Sequence, residues 1–417
     1  MRGITVHTDL ATEIELEAVL DHGHAETIKA TLPLVASKVD EITAVFYRTM
    51  FGRHPELIRD LFNRGNQAQG SQQRALAASI ATFAAYLVDP QRPHPHAVLS
   101  TIAHKHASLG VIAEQYRVVH DNLFAAIVEV LGADIVDGAV AAAWERVYWL
   151  MADALIERER DLYAGAGVAP GDVYRRARVL ARDDQPGDIA VFTVVSADPD
   201  APLPNFAAGQ YVSVGVELPD GARQLRQYSL VNAPGGGRYS FAVKRVEAAL
   251  GCPAGEVSTW LHDYLRVGAV IDVTVPFGDG TIDAAADVPL VLVSAGIGAT
   301  PMIGMLEQLV RANPERRTLV VHGDRSPRTH PLRARLDELM GKLPSGRVEL
   351  WYQDSVPGAR QGLVDLTEVE VPADADIRVC GPVGFLHEVR IQLHALGFAD
   401  ERIRVEQFTP TDWRLAD

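Results

Sequence analysis

The sequence predicts a multidomain chain: an all-α domain, then an antiparallel β-barrel, then an α/β domain built on a parallel sheet. Three observations predict this. Up to about residue 165, apolar residues recur at helical spacing with no strand-like run among them. Short runs with period-two alternation then follow, separated by turn residues. From residue 286, strands alternate with helices, the pattern of βαβ units. The length of 417 residues agrees, because ~150 residues per domain gives roughly three domains.

The elements follow in order. Residues 1–20 are read as an extension; "MRGITVHTDLATEIELEAVL" carries acidic residues and lacks the long apolar core of a signal peptide. The helical domain covers 21–164, with "AETIKATLPLVASKVDEITAVFYRTMF" near its start and "AVAAAWERVYWLMADALIERERDLY" near its end. "GAGVAPGD", 165–172, has the composition of a linker. The barrel covers 173–281, with strands expected at "DIAVFTVV", "GQYVSVGVEL", "RQYSLV", "RYSFAVKRV" and "AVIDVTVPF", and one helix at "VSTWLHDYL". The α/β domain covers 286–417. "VPLVLVSAGIG", "RTLVVHGD", "RVELWYQ", "DIRVCGP" and "IRVEQF" read as strands there, with helices between them.

Composition narrows the function classes. With 47% hydrophobic and 22% charged residues, the chain has the make-up of an ordinary globular protein. A formal net charge of −15 argues against nucleic acid or an anionic membrane surface as partner. Cys252 and Cys380 are its two cysteines, too few for a disulfide framework or a cysteine-built zinc site. No run approaches ~18 uninterrupted apolar residues, so no membrane-spanning helix is expected. A cytoplasmic chain acting as a monomer on small molecules is expected.

Two stretches carry chemistry of their own. In "TIAHKHASLG", His106 shares a helical face with Leu99 and Ile102, whereas His104 lies over Ser100 and Thr101 on the polar side. Phase alone leaves His106 open as a core histidine or a metal ligand. Glu159 falls on the stripe of Tyr148, Met151, Leu155 and Leu162, where an acid is costly unless paired. Tyr116 similarly joins Ile112, Val119 and Leu123. In "VSAGIGATPM", a strand ends in Gly296 and Gly298 before a helix expected to begin near Thr300–Pro301. Such a turn lets backbone N–H groups and a helix N-terminus meet a pyrophosphate.

Taken with "RQYSL" (226–230) and "CGPVGF" (380–385), that turn resembles the ferredoxin-reductase-like family of flavin-dependent NAD(P)H reductases. The resemblance implies that Arg226, Gln227, Tyr228 and Ser229 bind FAD, with Tyr228 and Tyr211 packing on the cofactor and Arg226 on its pyrophosphate. Gly255, Val257 and Ser258 would receive the flavin phosphates. Gly296, Ile297, Gly298, Ala299, Thr300 and Pro301, with Cys380, Gly381 and Pro382, would hold the nicotinamide nucleotide. In the helical part, "FYRTMF", "LFN", "QQRAL", "KHASL", "EQY", "AWERVYW" and "IERERDLY" resemble the globin domain of bacterial flavohemoglobins. The three-part order matches that family too.

This second resemblance implies haem b, with His106 as the proximal iron ligand. Glu159 and Tyr116 would support that histidine; Glu159 accepting the imidazole N–H would give it imidazolate character. Tyr47 would donate a hydrogen bond to dioxygen, Gln72 and Leu76 would line the distal pocket, and Phe62 would wedge the haem. Lys105 and Glu406 would lie near the contact between the two cofactors, and Phe408–Thr409 near the flavin. Two departures are visible. "PELIRDLFN" is one residue longer than the usual pattern before Phe62, and Phe408-Thr409-Pro410 stands where the family commonly has Phe-Gly-Pro. The function implied is a nitric oxide dioxygenase using NAD(P)H, FAD, haem and O2. The alternatives are an oxygen-binding or sensing haem protein with its own reductase, an alkylhydroperoxide reductase, or a haem-free flavin reductase. Asp324 and Arg325 of "HGDRSP" leave NADH and NADPH both open, with the balance toward NADH.

Overall fold

The computed structural model of the chain describes residues 20–68, 71–89, 91–92, 95–248 and 253–408. Eight helices make up the first part: α1 (His22–Ser37), α2 (Val39–Arg53), α3 (Pro55–Asp60), α4 (Arg64–Ala68), α5 (Ser71–Val88), α6 (His96–Leu109), α7 (Ala113–Leu131) and α8 (Gly138–Gly165). Helix α8 starts where the Asp137 side chain accepts from the N–H groups of Ala139 and Val140. Apolar stripes converge on a core containing Phe46, Met50, Phe83, Ala103 and Val147, all buried. Trp144 Nε1 donates to Thr31 Oγ1 at 3.0 Å, tying α8 to α1. No helix among the described residues is long and apolar enough to cross a membrane.

Next come β1 (Tyr174–Gln185), β2 (Ile189–Ser196), β3 (Tyr211–Glu217), β4 (Arg223–Ser229), β5 (Arg238–Lys244), α9 (Glu256–Tyr264) and β6 (Val270–Thr274). The strands pair antiparallel in the order β4-β3-β6-β1-β2-β5, and a bridge between Leu230 and Phe241 joins the two outer strands into a barrel. Strand β1 is absent from the sequence-based expectation. Its run "YRRARVLARDDQ" buries only Ala177 and Val179 while arginines and aspartates point outward, so it lacks an apolar alternation long enough to read. Its pairing with both β2 and β6 makes it a strand all the same. Strand β4 also begins three residues before the expected run at Arg226.

The last part holds β7 (Leu290–Ala295), α10 (Ala299–Ala312), β8 (Thr318–Asp324), α11 (Arg333–Met340), β9 (Gly346–Tyr352), β10 (Arg360–Gln361), β11 (Asp376–Cys380), α12 (Val383–Ala395) and β12 (Ile403–Glu406). All pairs are parallel, in the order β10-β9-β8-β7-β11-β12. Both faces are covered, which is why β7 reads as one apolar run. Leu290 and Leu292 pack with α10 and α11. Val291 and Val293 pack with α12.

Helix α6 sits between the first two parts, and this corrects the expectation for His104. The face read as polar is buried against the barrel: Gly278 N–H donates to His104 Nδ1 at 2.9 Å, and Ser100 Oγ donates to Asp279 Oδ2 at 2.7 Å. Tyr174 Oη also donates to the Leu109 carbonyl at 2.6 Å. Polar side chains here mark a seam, not solvent.

Phe241, fully buried against Phe192 and Tyr228 beside the closing bridge, tests the closure of the barrel. Phe241→Ala is expected to destabilise the chain by about 3–5 kcal/mol, read as a lowered midpoint in urea unfolding.

Candidate functional site

A cleft with a cavity volume of about 250 Å³ opens in the helical part. Its walls are mostly apolar, among them Met50, Phe62, Leu76, Ile102, Val119 and Leu155, with Tyr47, Lys105, His106 and Tyr116 among the polar residues that line it. Helix α6 turns His106 into this cleft at the phase the sequence indicated. His106 Nδ1 lies 2.9 Å from Glu159 Oε1 and 3.0 Å from Tyr116 Oη, while Tyr116 Oη donates to the same carboxylate oxygen at 2.5 Å. Glu159 is 2% exposed. Burial and the neighbouring carboxylate raise the Tyr116 pKa far above that of a free phenol, so the hydroxyl keeps its proton and donates. The carboxylate therefore fixes the imidazole proton on Nδ1 and leaves Nε2, without a partner among the described residues, as the nitrogen available to the cleft. Tyr148 Oη holds the Tyr116 backbone carbonyl at 2.6 Å.

Tyr47 lies in the same cleft, 4% exposed, its ring packed on Phe46, Phe51 and Phe62. Burial raises its pKa, so it too stays protonated, and the nearby Gln67 amide offsets part of that rise. Gln67 was not singled out from the sequence. Both its amide atoms are buried without a hydrogen-bond partner among the described residues, a signal that only packing reveals. Leu76 lines the cleft. Gln72 belongs to α5, and its side chain lies outside the described residues.

The seam continues into the barrel. Ser108 Oγ of α6, Ser213 Oγ of β3 and Gln227 Nε2 of β4 form a chain with steps of 3.2 and 3.3 Å. Arg226 alternates with Gln227 along β4, and burial lowers the pKa of its guanidinium. The Lys105 amine is likewise pushed down, by burial and then by the Arg226 charge. Neither cation has a carboxylate within ion-pair distance among the described residues. Two half-buried, unneutralised cations beside a cleft suit an anionic ligand. Tyr228 stacks on Phe241 with centroids 5.6 Å apart, and Tyr211 pairs with Ser229 across the ladder. Gly255 precedes α9, and a Cβ there would overlap Ser258 Oγ and Val246, so the backbone forms a cradle with no side chain. Val257 and Ser258 are buried behind it; Ser258 Oγ donates to the Gly255 carbonyl.

In the α/β part, the chain order reverses between β7 and β11, the switch point where such sheets bind ligands at the carboxyl ends of their strands. Gly296, Ile297 and Gly298 form a tight turn there, and α10 starts at Ala299, a residue or two before the expected start at Thr300–Pro301. A Cβ on Gly298 would overlap the Cys380 carbonyl, so this glycine lets the turn and the end of β11 approach each other. Gly381 and Pro382 complete the second lip, Pro382 leading into α12. Glu406 ends β12 level with Cys380 and accepts from Ser229 Oγ at 3.3 Å. Phe408 is 46% exposed and uncovered where the chain leaves β12; Thr409 lies outside the described residues.

Asp324 does not present its carboxylate to the nucleotide edge. Its Oδ1 accepts from Arg325 N–H and Thr329 Oγ1, each at 2.6 Å, and Oδ2 is buried 3.8 Å from His322 Nε2. Burial alone would raise its pKa, yet the nearby His322 imidazole and the hydrogen bonds from Thr329 and the Arg325 backbone hold it at about 2.

Residues 292–390 match the family described as Oxidoreductase NAD-binding domain. A flavohemoprotein of Bordetella parapertussis is 41% identical over 91% of this chain and 96% of its own. A flavohemoglobin of Malassezia yamatoensis, crystallised with bound FAD and heme, is 34% identical and covers 93% of this chain and 99% of its own, with a TM-score of 0.84. The FAD/NAD-binding domain of a nitric oxide dioxygenase from Vibrio cholerae covers 56% of this chain and 98% of its own at 31% identity, with a TM-score of 0.53. Fold and site define a three-part oxidoreductase chain, with globin, FAD-binding and NAD-binding folds in that order. The chain belongs to the flavohemoprotein family.

Glu406 supplies a pH test. Burial first, and then Asp279, push its pKa from 4.5 up to about 8, against the Ser229 hydrogen bond. Between those values the folded carboxyl is protonated where the unfolded one is not, so stability falls as pH rises through the window. Urea midpoints of the cofactor-depleted chain are expected to decline over this range, and Glu406→Gln to flatten the decline.

Proposed function

We propose that the chain is a nitric oxide dioxygenase, with residues 21–164 as haem domain, 173–281 as FAD domain and 286–417 as NAD(P)H domain, 165–172 as linker and 1–20 as an extension. The observation that carries the reading is the hydrogen-bonded set His106–Glu159–Tyr116, whose histidine lies on helix α6, the other face of which docks on a flavin-type barrel. When bound, FAD would take hydride from NAD(P)H and release electrons singly, and haem b would accept them and supply the chemistry that converts nitric oxide and O2 to nitrate.

The residues present fit those groups. His106 offers Nε2 to the iron while Glu159 holds Nδ1–H, which makes the imidazole a stronger electron donor and favours oxygen activation over reversible oxygen carriage. Tyr47 supplies a protonated hydroxyl within the mostly apolar cleft, Gln72 and Leu76 would line the distal side of the haem, and Phe62 would wedge it. Arg226 and the cradle at Gly255, Val257 and Ser258 would take the flavin pyrophosphate. Tyr211, Gln227, Tyr228 and Ser229 would surround the flavin ring, with Phe408 and Thr409 on its far side, and Lys105 and Glu406 between the cofactors. Gly296 to Pro301 and Cys380 to Pro382 would hold NAD(P)H.

The reading is tested by mixing the reduced protein with oxygen and nitric oxide. Nitrate is expected to form in step with NAD(P)H consumed; slow oxygen release with no nitrate would refute it. His106→Ala is expected to abolish the haem Soret band. Glu159→Gln is expected to keep the haem and lower turnover by roughly 10–100-fold, the usual effect of removing a partner from a metal-bound histidine.

A further inference from the structure

Helix α3 ends at Asp60, and its terminal carbonyls have no intrahelical partners. Leu57 O is taken by the N–H groups of Leu61 and Phe62, but those of Ile58 and Arg59 are capped from the barrel. Gln224 of β4, 1% exposed, directs Nε2 at the carbonyls of Arg59 and Phe62, 3.1 Å each, and of Ile58 at 3.3 Å. Its Oε1 accepts from Arg64 N–H at 3.3 Å. The corner that carries Phe62 into the cleft is thus closed by a side chain from the other side of the seam.

The same Oε1 lies 3.3 Å from the Arg226 guanidinium. A second strut runs beside it: Arg64 pairs at 2.9 Å with Glu256, the first residue of α9 and the neighbour of the Gly255 cradle. The two elements that would grip a pyrophosphate therefore share hydrogen bonds with the corner. Guanidinium bonds to phosphate are stronger than those to an amide oxygen. A phosphate in that site would compete with the Gln224 amide oxygen for the Arg226 guanidinium.

We infer that Gln224 is a positioning residue that couples occupation of the flavin phosphate site to the conformation of the Phe62 corner, and so to ligand binding in the haem cleft. This rests on the haem and FAD assignment proposed above. Linkage makes the coupling reciprocal.

The test uses carbon monoxide as probe on the full-length ferrous protein, with FAD removed and then restored. CO affinity is expected to change by roughly fivefold or more between the two states, the ordinary size for linked sites, and FAD affinity by the same factor when CO is added. Gln224→Leu is expected to keep both cofactors while both factors collapse toward one. Should that variant fail to fold, Gln224→Glu keeps the acceptor toward Arg64 and Arg226, loses the donor to the carbonyls, and is expected to show the same collapse. A wild-type chain that binds both cofactors but shows no FAD dependence overturns the coupling and leaves the proposed function standing. So does a Gln224 variant that melts earlier with its coupling intact. A chain that takes up no haem refutes the inference and the proposed function together.

Discussion

A carboxylate buried in an apolar cleft is tolerable only when its lone pairs are occupied. In this chain Glu159 meets that condition through Tyr116 Oη and His106 Nδ1, both on the same oxygen. The requirement runs in both directions. The acid needs the two donors, and in return it sets which imidazole nitrogen carries the proton and which faces the cleft. Three helices, α6, α7 and α8, must keep their relative phase for this to happen. Their packing around Ala103, Leu123 and Leu155 is the means by which a hydrophobic core fixes a polar geometry.

Helix α6 extends that constraint across the molecule. One face offers His106 to the cleft, and the other buries His104, Ser100 and Ser108 against the barrel. A rigid helix shared by two sites holds them at a fixed separation. The seam combines an apolar cluster of Ala107, Tyr163, Val173, Val275 and Phe277 with hydrogen bonds that depend on register, so it orients the two parts more strictly than an apolar patch alone would. Lys105 and Arg226 sit within it as half-buried cations with no carboxylate at ion-pair distance among the described residues, a setting that suits an anionic ligand.

The α/β part solves a different problem. Its sheet reverses order between β7 and β11, which leaves a crevice lined by backbone from two strand ends. The Gly296–Gly298 turn on one lip and Cys380–Pro382 on the other leave room for backbone N–H groups to face a nucleotide. Strand β12 then returns Glu406 to Ser229 on the barrel, so this part also reaches the seam.

The sequence by itself determined the order of the three folds, most of the strands and helices, and the faces of α6, α7 and α8 that bear His106, Tyr116 and Glu159. Those features rest on local periodicity, which any window of the chain displays. It missed β1, whose strand character comes from two neighbours and not from its own pattern, and from a polar face of α6 it could not tell that the barrel covers it, because serine and histidine look alike on water and on a polar seam. It tilted Asp324 toward a ribose, whereas the fold turns that carboxylate inward to Thr329 and His322. Gln67 and Gln224 carried no signal at all. Their importance lies in which carbonyls, hydroxyls and guanidinium groups surround them, and contacts between residues far apart in the chain are decided only when the tertiary structure brings them together.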